Sequence, residues 1–137
     1  MHCVRRLFDE GWNGGRLEVV DTLVAADAAA AHPGAATGPA GWKQQIQLYR
    51  SSFPDIHYSM DDVIASGDKV VVRWTAAGTD TVGFMGQRPS GKRATVTGMT
   101  IYRLADGKLV EHWDEWDLAG LLQQLGMLPT PAGAGAH

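Results

Sequence analysis

The chain has 137 residues, of which 45% are hydrophobic and 20% charged, and these values are typical of one globular domain with a single core. Twelve basic and fifteen acidic residues give a net charge of -3, and no run of Lys or Arg forms a phosphate-binding stripe, so we expect no nucleic-acid partner. The apolar stretches are far shorter than the ~20 residues that cross a bilayer, and the start MHCVRRLFDEGW lacks the apolar core of a signal peptide, so we expect a soluble cytoplasmic protein with no membrane contact.

Apolar residues at helical spacing predict three helices in the first half of the chain. They cover residues 1–12, 17–24 and 39–52. Asn13 and two following glycines end the first helix, and Pro54 lies just beyond the third. The apolar face of the first helix must cover a sheet.

Alternating and β-branched residues predict four strands in the second half, at residues 56–65, 69–78, 93–104 and 108–115. Tight turns containing glycine join the first two strands and the last two. Three helices followed by antiparallel strands indicate the α+β class. We expect one domain over residues 1–128 and a disordered tail over 129–137, because the tail has almost no large apolar side chain to bury.

Residues 107–126, GKLVEHWDEWDLAGLLQQLG, place a carboxylate beside an imidazole at the end of the last strand. Strict alternation divides this strand into two faces, with Val110, His112, Asp114 and Trp116 on one and Leu109, Glu111, Trp113 and Glu115 on the other. Asp117 is the predicted N-cap of a leucine-rich closing helix, which Gly126 ends. Asp114 therefore shares a face with His112.

This stretch resembles the C-terminal signature of the SnoaL-like polyketide cyclases, also called SnoaL-like ester cyclases, in the nuclear transport factor 2-like superfamily. Other segments resemble the family in the same order along the chain: TGPAGW, FPDIHYSMDDVIASGD, VVVRWTAAGT, GFMGQRPSGKR and GMTIYRLADGKLVEHW. The resemblance covers residues 4–126. It implies a curved antiparallel or mixed sheet wrapped around the N-terminal helices, which forms a cone-shaped pocket in an α+β barrel. It also implies a short strand in ADAAAAH that ends at His32, where alanine by itself predicts helix.

The resemblance gives Asp114 the role of general acid and base in a cyclisation that needs no cofactor. Such a reaction removes a proton from a carbon flanked by carbonyls, and the enolate then attacks a second carbonyl of the same molecule; one positioned carboxylate can perform both proton transfers. His112 is the second predicted catalytic residue. The residues alone leave other interpretations open, with Asp114 as a helix cap or the partner of an arginine, and His112 as a half-buried histidine bonded to backbone.

Seven further residues are predicted to bind the substrate: Trp12, His32, Arg73, Trp74, Thr100, Tyr102 and Trp116. Alternation lets only one of Arg73 and Trp74 point inward, and a buried guanidinium needs an anionic partner. Thr100 occupies the position at which some relatives have a histidine that assists the enolate. A hydroxyl can hydrogen-bond an oxyanion but carries no positive charge.

The sequence predicts neither a metal site nor a nucleotide cofactor. His112 and Asp114 have no third ligand at suitable spacing, and Cys3 is the one cysteine, which also excludes an internal disulfide. No glycine-rich phosphate loop lies between a strand and a helix.

The first functional hypothesis is a cyclase or isomerase, with lyase-type aldol chemistry, that acts on a small apolar polycarbonyl or ring compound. Epoxide hydrolysis or hydration is the second, and it would need Arg73 and another pocket aspartate beside Asp114. A non-catalytic ligand-binding or dimerisation domain is the third, since one fold serves many functions. Val71, Thr95 and Trp113 are expected to point outward, and an apolar outer face predicts a homodimer or a larger homo-oligomer.

Overall fold

The computed structural model describes residues 2–30 and 36–128, so His32 and the predicted disordered tail lie outside the described residues. The helices are α1, which is α-helical over His2–Arg6 and π-helical over Leu7–Asn13, α2 over Glu18–Leu23, α3 over Gly38–Ser52 and α4 over Leu118–Gln124. The strands are β1 over His57–Ser66, β2 over Lys69–Thr79, β3 over Arg93–Ala105 and β4 over Lys108–Trp116. The predicted helices and strands are thereby confirmed, with small shifts at their ends.

The four strands form a curled, unclosed antiparallel sheet in the order β1–β2–β3–β4. Residues 26–30, the described part of ADAAAAH, form no strand, and the rest of the predicted strand lies outside the described residues. One parallel bridge, between Val24 and Leu109, lies just before this segment. Beyond that bridge, Ala25 and Ala29 donate backbone hydrogen bonds of 2.9 Å to β4. This segment follows β4 because the edge of a sheet presents unpaired carbonyl groups. The α+β class is confirmed.

The helices pack against the concave inner face of the sheet, and this contact is the main hydrophobic core. Val72, Trp74 and Tyr102 point inward from β2 and β3, and each is less than a tenth exposed. Leu7 and Phe8 cover them from α1. Burial of each such side chain contributes about 1.5–3 kcal/mol to folding.

A β-bulge changes which residues of β4 face the core. Arg103 pairs with Glu111, but Leu104 pairs with Leu109, so Val110 is an extra residue on β4. Leu109 is 1% exposed, and the expectation that it points away from the core is wrong because the bulge breaks strict alternation. Beyond the bulge, alternation resumes and brings His112 and Asp114 to one face.

None of the described helices is both long enough and apolar enough to cross a membrane.

Candidate active site

A cavity of about 130 Å³ lies between the inner face of the sheet and helices α1 and α3. Nine aromatic residues belong to its described lining, namely Phe8, Trp12, Trp42, Tyr49, Phe53, Tyr58, Trp74, Tyr102 and Trp116. Asp114 is the one acidic residue in the described lining, which contains neither Lys nor Arg. The cavity therefore suits an uncharged apolar molecule that meets one carboxylate.

The carboxylate of Asp114 is held from the neighbouring strand. Thr100 lies directly opposite Asp114 in the β3–β4 register, and its Oγ1 donates to Asp114 Oδ1 at 2.5 Å. Trp74 Nε1 in turn donates to Thr100 Oγ1 at 3.0 Å. Thr100 is 2% exposed, whereas the side chain of Asp114 is 41% exposed. A buried chain of two hydrogen bonds thus orients a carboxylate that incoming molecules can reach.

His112 stands beside the same carboxylate. Its Nε2 lies 3.3 Å from Asp114 Oδ2, and its ring packs on Trp42 with centroids 4.2 Å apart. The side chain is 9% exposed, and Nδ1 has no hydrogen-bond partner within residues 2–30 and 36–128. The imidazole therefore adds a second polar side chain beside the carboxylate.

The aromatic walls are tied together by Asn13 at the end of α1. Its side-chain amide donates to the carbonyl of Tyr58 at 2.9 Å and accepts from the amide of Tyr58 at 2.7 Å. Arg50 of α3 donates to the carbonyls of Trp12 and Asn13 at 2.7 and 2.9 Å. These bonds hold the rings of Trp12 and Tyr58 4.8 Å apart between centroids.

Most of the predicted site residues reach this cavity. Those in its described lining are Trp12, Trp74, Thr100, Tyr102, His112, Asp114 and Trp116. His32 lies outside the described residues. The cavity therefore brings these seven side chains together.

The prediction that Arg73 binds substrate is wrong, because Arg73 points out of the sheet. Trp74 takes the inward position, and strict alternation then sends Arg73 to the convex face. There its side chain is 51% exposed, and Nη2 lies 2.6 Å from Asp62 Oδ2. The guanidinium has its carboxylate partner outside the cavity.

Sequence reasoning did not assign Phe8, Tyr49 or Tyr58 to the site, and it favoured a core position for Trp42. A helical signal was present, since Trp42, Gln45 and Tyr49 recur at the spacing of one helix face and all line the cavity. The spacing defines that face, but it does not tell whether the face meets a filled core or an open space.

No group of three or more His, Cys, Asp or Glu side chains in the described part of the chain is placed to hold a metal ion.

Comparison with known proteins connects this chain to one family. The family model for SnoaL-like polyketide cyclases matches residues 2–125. TsrD from Streptomyces laurentii is 31% identical, with a TM-score of 0.84 over 93% of this chain and 97% of TsrD. IdmH from Streptomyces antibioticus, provisionally named a polyketide cyclase, is 33% identical, with a TM-score of 0.79 over 91% and 96%. A search of curated proteins gave no match.

Another similar structure carries a different provisional name. AclR from Streptomyces galilaeus, provisionally named a hydroxylase, is 27% identical to this chain. Its TM-score is 0.81 over 93% of this chain and 96% of AclR. Similar structures therefore carry more than one provisional name.

The three tyrosines of the chain all line the cavity, and the pKa of each is raised there. Burial is the largest cause that raises the pKa of Tyr49, Tyr58 and Tyr102, and the charge of Asp114 adds to the effect at each. Their hydroxyls remain neutral hydrogen-bonding groups at any pH at which such a site works.

These pKa shifts predict alkaline instability. The native state retains tyrosine protons that the unfolded chain releases near pH ~10, so stability is complete below that pH and falls as the pH rises above it. We expect absorbance at 295 nm to stay flat through pH ~10 while the far-UV circular dichroism is native, and tyrosinates to appear as the protein unfolds. A tyrosine that ionises near pH ~10 in the folded protein would contradict this description of the cavity.

Proposed function

The chain belongs to the SnoaL-like polyketide cyclase family, and on this basis we propose that it is a cofactor-independent enzyme that closes a ring in a small apolar polycarbonyl compound, with Asp114 as general acid and base. The observation that carries the proposal is an accessible carboxylate, fixed by Thr100, in a cavity with aromatic walls.

The proposed reaction needs one proton acceptor that later becomes a donor. Asp114 takes a proton from a carbon between carbonyl groups, and the electron pair of the C–H bond forms an enolate. The enolate carbon attacks a second carbonyl of the same molecule, which forms a C–C bond and leaves an alkoxide. Protonated Asp114 returns its proton to that alkoxide, so the product is an isomer of the substrate.

His112 contributes to the proposed reaction as a polar neighbour of both carboxylate and substrate. At 3.3 Å from Asp114 Oδ2, its Nε2 influences the orientation of the base. The aromatic walls favour a flat substrate, and the lack of Lys and Arg in the described lining favours an uncharged one.

Epoxide hydrolysis has less support from the geometry. That reaction was expected to use an arginine and a second aspartate beside Asp114. Arg73 is on the convex face, and Asp114 is the one acidic residue in the described lining.

We also propose that the convex face of the sheet pairs with a second copy of the chain. Four residues directly opposite one another form an apolar row across it, namely Ile64, Val71, Ile101 and Trp113. Ile64 is 63% and Trp113 45% exposed. No described helix covers this face, and burial of such a row on association is favourable.

The charged residues on either side of the apolar row support a second copy of the chain as the partner of this face. The row on one side of the apolar row contains Lys69, Arg103 and Glu111, and the row on its other side contains Asp62, Arg73, Met99 and Glu115. The first set carries one net positive charge and the second one net negative charge. A two-fold axis that runs along the apolar row, between the two copies, would place the positive set of each copy against the negative set of the other.

The test of the proposed chemistry uses 2-tetralone, an uncharged bicyclic ketone, as the probe. The wild-type protein should accelerate replacement of its C1 protons by deuterium in D₂O, followed by proton NMR. Asp114→Asn keeps the shape of the side chain but lacks its basicity, so exchange should slow by ~10²–10⁴-fold with little change in melting temperature.

Glu115→Gln is the matched control, because it neutralises the next carboxylate on β4, which is exposed and on the convex face. The Glu115→Gln variant should catalyse deuterium exchange into 2-tetralone at the wild-type rate. Equal rates for the wild type and Asp114→Asn would refute the mechanism, whereas binding of 2-tetralone without any exchange would favour a non-catalytic binding domain.

The dimer proposal predicts that Trp113→Lys produces a monomer, because a charge would replace the largest apolar side chain of the row. Light scattering at micromolar concentration should give twice the chain mass for the wild type and once for the variant. Val82→Lys is the control, since Val82 is 57% exposed in the loop after β2, away from this row. A wild-type monomer at that concentration would overturn the proposal.

A further inference from the structure

The direction of the hydroxyl proton of Thr100 is determined by two neighbouring side chains. An indole N–H can only donate, so Thr100 Oγ1 accepts the bond from Trp74 Nε1 at 3.0 Å. An ionised carboxylate can only accept, so the single hydroxyl proton of Thr100 goes to Asp114 Oδ1. Thr100 has no further proton to give to a substrate oxygen, although the sequence had suggested that use.

Gly98 makes this arrangement possible. Gly98 lies directly opposite Trp74 in the β2–β3 register, two residues before Thr100. A Cβ atom at Gly98 would lie 2.5 Å from Trp74 Cζ2 and 2.6 Å from the Cβ of Trp116. The missing side chain lets the indole lie across β3, so its N–H reaches Thr100.

Without a hydrogen bond from Thr100, the carboxylate of Asp114 would be free to rotate. The side chain of Asp114 is 41% exposed, and within the described residues its carboxylate forms one hydrogen bond, which Thr100 donates. Oδ2 lies 3.3 Å from His112 Nε2 without a well-aligned hydrogen bond. The two carboxylate oxygens are therefore unequal, with Oδ1 engaged and Oδ2 left for other partners.

We propose that Thr100, itself held by Trp74, is a positioning residue that locks Oδ1 of Asp114 and leaves Oδ2 as the oxygen that exchanges protons with the substrate. This inference rests on the proposed function of Asp114. In this arrangement Thr100 acts through Asp114 and does not contact the substrate. The physical gain is orientation, since a small misplacement of a reacting group can cost on the order of 10²-fold in rate.

The kinetic test compares Thr100→Val, Thr100→Ser and Trp74→Phe in the exchange of 2-tetralone. Thr100→Val keeps the shape but removes the hydroxyl, so the exchange rate at saturation should fall by ~10–10²-fold while KM stays within about twofold. Thr100→Ser retains the hydroxyl and should keep most of the rate. Trp74→Phe removes the N–H that orients the hydroxyl, so its exchange rate should lie between the rates of Thr100→Val and Thr100→Ser.

Thr97→Val is the matched control, because it makes the same change on β3 at an exposed position. It should leave the exchange rate and KM unchanged. A rise in KM without a fall in rate for Thr100→Val would mean that Thr100 binds the substrate. A wild-type rate for that variant would also overturn the inference.

A second measurement decides the hydrogen-bond chain even if the protein catalyses no exchange. The indole N–H signals of ¹⁵N-labelled protein can be resolved, and the signal of Trp74 is the one that Trp74→Phe removes. Asp114→Ala should shift this signal when Thr100 is present and should shift it much less in a Thr100→Val background. An equal shift in both backgrounds would overturn the chain, whereas wild-type protein without exchange activity would overturn the proposed function alone.

Discussion

The hydrogen bond from Thr100 to Asp114 is the contact on which the site depends. The β3–β4 register sets the two residues opposite each other. Trp74 fixes the hydroxyl from β2. Three adjacent strands thus determine the direction of one carboxylate, and rigid strands hold a reacting group more accurately than loops.

The aromatic side chains of the cavity walls surround the carboxylate of Asp114. Aromatic side chains bury large apolar areas around it. Asn13 ties α1 to β1, and Arg50 ties α1 to α3, so the walls are held by hydrogen bonds as well as by packing. A flat apolar molecule would gain burial from the walls and orientation from His112 and Asp114.

Periodicity predicted the helices and strands because their apolar faces repeat at about 3.6 and 2 residues, and parity correctly grouped His112 with Asp114. It failed where a strand departs from regularity, as at Leu109, since a bulge leaves no clear signal in one sequence. It also left Arg73 and Trp74 undecided, because alternation separates two faces without saying which one is inside. The use of the Thr100 hydroxyl depends on Trp74, a partner on another strand that local patterns cannot identify.

The central claim is that the carboxylate of Asp114 transfers the proton, and its most direct test is to supply that carboxylate from solution. Asp114→Ala removes the group and leaves space beside Thr100, so added formate should restore deuterium exchange into 2-tetralone in proportion to its concentration. Chloride at the same ionic strength should not restore it. Exchange by a folded Asp114→Ala protein that is as fast as wild type without formate, or that formate fails to increase, would contradict the claim.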